Sequence, residues 1–320
     1  MLLLVRHLLA RRATRRTWAR LGTVPVAFTA QLPCVSIRFL VDFYSADQRF
    51  HTEAGVSYLV TAAGSSVLFD LGYNPQRERP SPLRCNLQAL GLESAGIDGI
   101  FISHNHMDHV GGLRNQMRDT PALDQLDPQT LDGVVVWAPV PLHHPRCSCT
   151  MVARPTELMP GLASTGPMPA HLYFPGMLHE QALLVSVRGL GVVLITGCGH
   201  PGIVEMVRFA KQITGQQVHA VVGGLHLIAT RGRDYSQKYL SASQPPWALP
   251  GKSGVRKIAE DLIALGVQQV APSAHDCCDQ ALGILEEVFG EGYIQVRAGD
   301  EVRFSTPDRV AHGRSLKSEH

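Results

Sequence analysis

Six consecutive residues that hold four candidate metal ligands constrain this chain more than any other feature. The segment reads His104-Asn105-His106-Met107-Asp108-His109 and follows the apolar residues 97–103, whose composition predicts a buried strand. Because strand side chains alternate between two faces, we expect His104 and His106 to leave the strand end on the same side. Asp108 and His109 follow where the chain turns, which places them to face a second ion. Imidazole and carboxylate ligands suit zinc, and also iron, manganese or nickel.

The charge balance argues against nucleic acid as a partner. Residues 1–41 contain seven arginines and no acidic residue, so the rest of the chain holds 22 lysines and arginines against 27 acidic residues. A mildly acidic body is not typical of a nucleic-acid-binding protein. With 45% hydrophobic and 18% charged residues, the 320-residue sequence is typical of a globular protein.

The first 33 residues differ from the rest. The arginines at positions 12, 16 and 20 recur every fourth residue, so a helix here would carry a basic stripe. We expect residues 1–33 to be either an organellar (mitochondrial) targeting segment or a disordered basic tail, dispensable for folding and activity. The protein is then expected to be cytoplasmic, or mitochondrial if the segment directs import. No apolar run reaches the roughly 18 to 20 residues of a membrane span. We expect one domain at 34–306 and a tail at 307–320.

The order of elements predicts a layered α/β protein with two similar halves. The segments 139–176 and 229–253 show no periodicity, so we interpret them as long loops that form walls or lids of a site. Strand patterns lie at 35–41, 56–61, 66–70, 97–103, 134–137, 182–187, 191–196, 218–222, 267–271, 293–296 and 302–304, and helix patterns lie at 86–92, 202–213, 255–265 and 280–289.

The segment Ser103 to His109, followed by Gly111-Gly112, resembles the hallmark of the metallo-β-lactamase superfamily. The resemblance runs from about residue 35 to 305 and implies a four-layered αββα fold. Phe69-Asp70-Leu71-Gly72 is similar to an earlier element of that family. It implies that Asp70 supports the metal-binding loop from outside the ligand shell.

Three later segments are similar to the 7,8-dihydropterin-6-methyl-4-(ribofuranosyl)aminobenzene-phosphate synthase-like branch of that superfamily. They read His179-Glu180-Gln181-Ala182-Leu183, Thr196-Gly197-Cys198-Gly199-His200-Pro201-Gly202-Ile203 and Gly223-Gly224-Leu225-His226-Leu227. The resemblance implies that His200 is the third ligand of the first metal and that His275, after a late strand, is the last family ligand.

Two positions depart from the family pattern. Cys198 stands where the β-lactamases have a bridging Asp. We favour its interpretation as an ordinary buried thiol over its interpretation as a metal ligand. His275 is followed by Asp-Cys-Cys, where the branch usually has Cys-Thr-Gly. His226 is open to three interpretations: a metal ligand, a substrate-facing catalytic donor, or a structural histidine at a strand end.

These residues predict a metal-dependent hydrolase in which a metal-activated hydroxide attacks a small ester, lactone, thioester or phosphoester. We expect two zinc ions, with iron or manganese as alternatives, and a role for Asp108 in holding the second metal and orienting the hydroxide. The first alternative is a pterin-type synthase that forms a carbon–carbon bond at the same site. The second is a non-hydrolytic metal-binding or redox protein. The expected partner in each enzymatic case is a small-molecule substrate.

Overall fold

The computed structural model describes residues 24–92, 96–131, 133–172, 176–230 and 249–306, together with 9–10, 12–14, 16–18 and 21 near the N-terminus. The predicted tail at 307–320 and most of the predicted loop at 229–253 lie outside these described residues. Within the described ranges, no helix is long and apolar enough to cross a membrane.

Two β-sheets form the centre of the fold. The first has seven strands in the order β15-β1-β2-β3-β4-β5-β6, and the second has six in the order β14-β13-β12-β11-β8-β7. The strands are β1 Cys34–Val41, β2 Ser57–Ala62, β3 Ser65–Phe69, β4 Gly99–Phe101, β5 Val135–Ala138, β6 Ser148–Met151, β7 Thr156–Met159, β8 Leu162–Ser164, β9 Met168–Leu172, β10 Gly176–Glu180, β11 Leu183–Val187, β12 Gly191–Thr196, β13 Val218–Gly223, β14 Gln269–Pro272 and β15 Glu301–Ser305. β9 and β10 pair with each other as a separate hairpin.

Helices flank the sheets. They are α1 Pro82–Ala89, α2 Leu113–Met117, α3 Ile203–Thr214, α4 Gly251–Ala264 and α5 Asp279–Phe289, with short 3-10 helices at Leu123–Gln125, Pro128–Leu131 and Gly290–Gly292. The strands β12, β13 and β14 run parallel, and α3 lies between the first two in the chain. Their carboxyl ends therefore meet at one edge of the second sheet.

Three hydrophobic clusters correspond to the three spaces between four layers. Side chains such as Ile37, Phe69 and Val185 fill the space between the two sheets. A second cluster packs the other face of the second sheet against α3, α4 and α5. A third packs the first sheet against α1 and the loops beside it. The αββα arrangement expected from the resemblance is thereby confirmed.

Three local predictions were wrong. Residues 139–176 are not one irregular loop, because β6 to β9 lie within them; these strands have three to five residues each, too few to show a clear alternation. Residues 293–296 form no strand, and only an isolated bridge joins Tyr293 to Val270. The predicted helix at 86–92 begins earlier, because the Ser81 hydroxyl caps it by accepting the Arg84 N–H.

Described parts of the segment before residue 34 pack on the folded body. Leu32 is buried, and its N–H donates to the carbonyl of Ser186. The Trp18 indole donates to the Pro169 carbonyl, and its ring meets Phe209 edge-on at 5.5 Å. Val26 and Leu32 thus belong to the core although they precede the predicted domain start. Whether they also form a targeting segment stays a prediction.

Candidate metal centre

Four loops bring the candidate ligands to one end of the two sheets. The 104–109 loop leaves the first sheet after β4, and Cys198 and His200 follow β12. His226 follows β13, and His275 follows β14. In the parallel register Thr196 pairs with Gly223 and Gly223 with Pro272, so these three strands end side by side. The sheet topology therefore explains why ligands up to 171 residues apart in sequence meet.

The first donor group consists of His104, His106 and His200, whose ligand atoms all lie within 4.8 Å of one another. The Nε2 atom of His104 is 3.1 Å from Nδ1 of His106. The ring of His200 lies 5.0 Å from that of His104 and 5.1 Å from that of His106, both edge-on. This is the arrangement of three imidazoles that can hold one ion.

The second donor group consists of Asp108, His109, Cys198 and His275. The Cys198 sulfur lies 3.1 Å from Nε2 of His109 and 3.4 Å from Nε2 of His275. Asp108 Oδ2 is 3.5 Å from Nε2 of His109. Cys198 also forms a third group with His200 and His226, so its thiol lies between the two sets of histidines. This placement puts the Cys198 thiol within reach of a bound ion, so metal ligation by Cys198 becomes a proposal beside its interpretation as a buried thiol.

The electrostatics fit a transition-metal site. Burial, and then the neighbouring imidazoles, hold the pKa of His104 well below its usual value. Burial lowers the pKa of His106 to about 4. For Asp108, burial would raise the pKa, but His109, His106 and His275 together outweigh it and hold the pKa of the carboxylate well below its usual value. The two neighbouring carboxylates, Asp108 and Asp70, raise the pKa of His109 despite its burial. Imidazoles, a carboxylate and a thiol together form a donor set suited to zinc, iron or cobalt.

Asp70 holds His109 and Ser103 from beneath. Its Oδ2 atom accepts the Ser103 hydroxyl at 2.7 Å and lies 2.7 Å from Nδ1 of His109, while Oδ1 accepts the Ser103 N–H. With Nδ1 bound to a carboxylate, Nε2 of His109 faces the donor group. Asp70 thus makes the supporting contact that the resemblance implied.

His275 has a matching support that the sequence did not reveal. The Ser273 hydroxyl donates to Asp42 Oδ2 at 2.7 Å and lies 2.7 Å from Nδ1 of His275. Asp42 Oδ1 also accepts the Ala274 N–H. Asp42 directly follows β1, so an acidic residue at a buried strand end was the available signal.

Glu180 organises the Cys198–His200 loop. Its fully buried carboxylate accepts the backbone N–H groups of Cys198, Gly199 and His200 at 2.8–3.0 Å, and also the Thr196 hydroxyl at 2.8 Å. Four donors on one carboxylate fix this loop in a single conformation. His179 belongs to none of the donor groups, so Glu180 is the functional half of that pair.

Gln181 ties the two sheets together beneath the site. Its side-chain amide donates to the carbonyls of Ile102, directly after β4, and of Trp137 in β5, and its Oε1 atom accepts the Ser164 hydroxyl in the second sheet. Gly197 permits this closeness, because a Cβ there would collide with the Ser103 side chain.

Asp276 occupies the position that departs from the branch pattern. Its carboxylate accepts the N–H groups of Leu225 and His226, at 3.3 and 2.9 Å. His226 has a left-handed φ of 49°, a conformation that is uncommon for residues other than glycine. Asp276 therefore stabilises the backbone that presents His226 to the centre.

All six predicted ligands and His226 lie together in this cluster. His106, Asp108 and His226 are partly exposed, whereas His104, His109, His200 and His275 are buried, so the centre opens on the side of the first three. The other histidines singled out in the sequence belong to none of the donor groups found among the described residues: His143, His144, His171, His179 and His219.

Comparison with known proteins agrees with this geometry. The model of the metallo-β-lactamase superfamily matches residues 52–152, which include the whole 104–109 loop and Asp70. The chain has a metallo-β-lactamase fold. A metallo-β-lactamase fold also explains why the donor groups lie at one end of the paired sheets.

The chain is also similar to 7,8-dihydropterin-6-methyl-4-(β-D-ribofuranosyl)-aminobenzene-5'-phosphate synthase from Methanocaldococcus jannaschii. The two are 25% identical over 302 residues, covering 82% of this chain and 94% of the relative. The crystal structure of Tm1679, a metal-dependent hydrolase of the β-lactamase superfamily, superposes with a TM-score of 0.60 at 24% identity, covering 85% of this chain and 99% of that one. YhfI from Bacillus subtilis, a metallo-β-lactamase fold protein, gives a TM-score of 0.53 at 11% identity, covering 85% and 100%.

Proposed function

We propose that this protein is a metal-dependent hydrolase of a small ester, lactone, thioester or phosphoester. The observation that carries the proposal is the closeness of two donor groups, one formed by His104, His106 and His200 and the other by Asp108, His109, Cys198 and His275, with Cys198 also within reach of His200. Their spacing suits two ions, most simply zinc, with iron or manganese as alternatives. Bound zinc would supply Lewis acidity to the electrophile and make water more acidic.

The residues at the open side have distinct parts in this proposal. Asp108 is ionised and partly exposed, so its carboxylate can accept a hydrogen bond from an attacking water and orient it. His226 retains 10% side-chain exposure, and its ring lies 5.0 Å from that of His200. It is placed to donate a hydrogen bond to the oxygen or nitrogen that leaves. In this proposal the buried residues His104, His109, His200 and His275 hold the ions in place.

A second candidate is a pterin-type synthase that forms a carbon–carbon bond at the same centre. The similarity to the archaeal synthase favours it, because that similarity covers most of both chains. The same donor groups would then polarise a different electrophile, and no water would need access to the reacting carbon.

Two measurements test the proposal. Elemental analysis of protein purified without added chelator should find one or two equivalents of zinc, iron or manganese per chain. The loaded protein should then hydrolyse at least one of a set of generic phosphodiester, lactone and thioester substrates, and Asp108→Ala should lower that rate by about a hundredfold or more. Protein that binds none of these metals contradicts the hydrolase. Metal binding without hydrolysis, together with product formation from a dihydropterin and an activated ribosyl donor, favours the synthase.

A further inference from the structure

A groove of about 1200 Å³ lies beside the metal centre. Tyr73, Gly111 and Gly112 line it, and the two glycines follow His109 by only two and three residues. The Gly111 N–H donates to the Gly72 carbonyl, and the Leu71 N–H donates to the His109 carbonyl. The groove wall and the metal-binding loop are therefore one hydrogen-bonded unit, and Tyr73 and the Asp108 backbone both pack against Gly55.

The groove is positively charged, whereas the chain after residue 41 has a net negative charge. Its lining holds five arginines against two carboxylates, Glu78 and Asp124. The arginines are Arg77, Arg79, Arg84, Arg114 and Arg118. Arg79 lies 3.7 Å from Asp124, and the other four make no ion pair with any described residue. Four unneutralised guanidinium groups around one groove favour a ligand that carries more than one negative charge.

The wall that carries Arg77 and Arg79 is held in shape by hydrogen bonds. The Asn74 side chain accepts the Glu78 N–H at 2.8 Å and donates to the Glu78 carbonyl. Glu53 accepts the N–H groups of Tyr73 and Asn74 from behind. Asn74 and Arg77 both have left-handed φ values, of 45° and 56°. Such conformations persist where the surroundings fix them, and they are common at ligand-binding sites.

We propose that this arginine groove binds the phosphoryl groups of a small phosphorylated substrate whose reacting bond lies at the metal centre. The inference rests on the proposed function, because it names the substrate class of that same site. A guanidinium presents paired N–H donors that match phosphate oxygens, which is why arginine recognises phosphate through two hydrogen bonds. The groove is large enough for a molecule the size of a nucleotide or a sugar phosphate.

The test measures binding of inorganic pyrophosphate to the zinc-loaded protein by titration calorimetry. The double variant Arg84→Ala/Arg118→Ala should bind at least about tenfold more weakly with unchanged zinc content. The matched control is Arg188→Ala, because Arg188 is exposed in the turn between β11 and β12, at the far end of the sheet from the centre. It should bind like the wild type. Equal affinity of the wild type and the double variant would overturn the proposal.

Two further experiments distinguish this proposal from the proposed hydrolase function and from nucleic-acid binding. His200→Ala protein should still bind pyrophosphate, and adding Arg84→Ala/Arg118→Ala to it should weaken that binding by the same factor as in the wild type. If all pyrophosphate binding is lost with the metal, the groove is not the phosphate site, although the hydrolase proposal stands. If instead the purified wild type holds no metal but binds pyrophosphate through these arginines, the groove stands and the hydrolase fails. A single-stranded oligonucleotide that binds through the same arginines far more tightly than pyrophosphate would overturn the assignment to a small molecule.

Discussion

At the scale of single residues, we propose that Cys198 sets the chemical character of the centre. Its sulfur is shared by two of the donor groups, at a position where the β-lactamase pattern has a carboxylate. Burial raises the pKa of its thiol well above the usual value, yet a bound metal ion deprotonates a coordinating thiol outright. A thiolate is a softer ligand than a carboxylate, so the centre should prefer zinc, cobalt or iron to manganese.

This role of Cys198 can be observed spectroscopically. Protein loaded with cobalt(II) should show the near-ultraviolet absorption of a sulfur-to-cobalt charge transfer, and Cys198→Ser should lose that band while still binding cobalt through the histidines. The matched control is Cys149→Ser, a half-buried cysteine in β6 outside the donor groups. A band that survives in the Cys198 variant would show that the sulfur is not a ligand.

His200 is the ligand assignment that departs most from the β-lactamase pattern. We expect His200→Ala to lower zinc affinity by at least about tenfold and nearly to abolish turnover, because one of three imidazoles in the first donor group is lost. Its far-UV circular dichroism should remain native. His179→Ala should keep both metal and rate, since His179 belongs to no donor group. The reverse order of effects would make His179 the ligand.

At the scale of elements, the conformation of the Cys198–His200 loop depends on one carboxylate from the neighbouring hairpin. Glu180→Ala would leave three buried N–H groups without their acceptor. We expect a loss of about 2–4 kcal/mol in the free energy of unfolding, and rapid amide exchange confined to residues 198–200. Glu205→Ala, which removes an exposed carboxylate paired with Arg208, should change stability by less than about 1 kcal/mol. Slow exchange at 198–200 in the Glu180 variant would contradict the role.

The segment before residue 34 acts as an additional element of the fold. Val26 and Leu32 are buried, and the Arg188 N–H donates to the Leu32 carbonyl. Deleting residues 1–33 should therefore lower the free energy of unfolding by about 3 kcal/mol or more, and Leu32→Ala alone by about 2–4 kcal/mol. Deleting only residues 1–8, which lie outside the described part of the chain, serves as the control and should leave the unfolding midpoint unchanged. A fully stable protein without residues 1–33 would show that these contacts contribute nothing.

At the scale of the whole molecule, the metal centre joins the two sheets. His104, His106, Asp108 and His109 follow a strand of the first sheet, whereas Cys198, His200, His226 and His275 follow strands of the second. An ion bound by both sets would link the halves of the fold. Because such an ion binds the folded state and not the unfolded chain, it adds stability in proportion to the logarithm of its concentration over its dissociation constant.

Removal of the metal should therefore destabilise the whole domain. With free zinc at about a hundred times its dissociation constant, the bound ion contributes about 2.7 kcal/mol. We expect a chelator to lower the midpoint of thermal unfolding by about 5–10 °C and zinc to restore it. His200→Ala protein, which holds metal more weakly, should show a smaller shift under the same conditions. An identical midpoint with and without chelator would mean that the sheets are not linked through the centre.

The sequence by itself predicted which candidate ligands would lie together, and its resemblance to a known family implied the order of the layers. The relative positions of the side chains in the 104–109 segment could be predicted locally. The alternation of side chains along a strand and the turn that follows it each involve only a few neighbouring residues. Strands of the second sheet could be predicted for the same reason, since four of the five residues from Val218 to Val222 are apolar. Short edge strands such as Leu162–Ser164 could not, because three residues show no period.

Only the tertiary structure decided the contacts between distant segments. Asp42 and Ser273 are 231 residues apart, and no local pattern links them, yet together they orient His275. Glu180 likewise has no local pattern that marks its role. Its carboxylate accepts the N–H groups of residues 198–200 only once that loop is folded against it. Cys198 was read as an ordinary buried thiol because burial of a small side chain at a strand end is common. Its position between two histidine groups exists only after the sheets have paired.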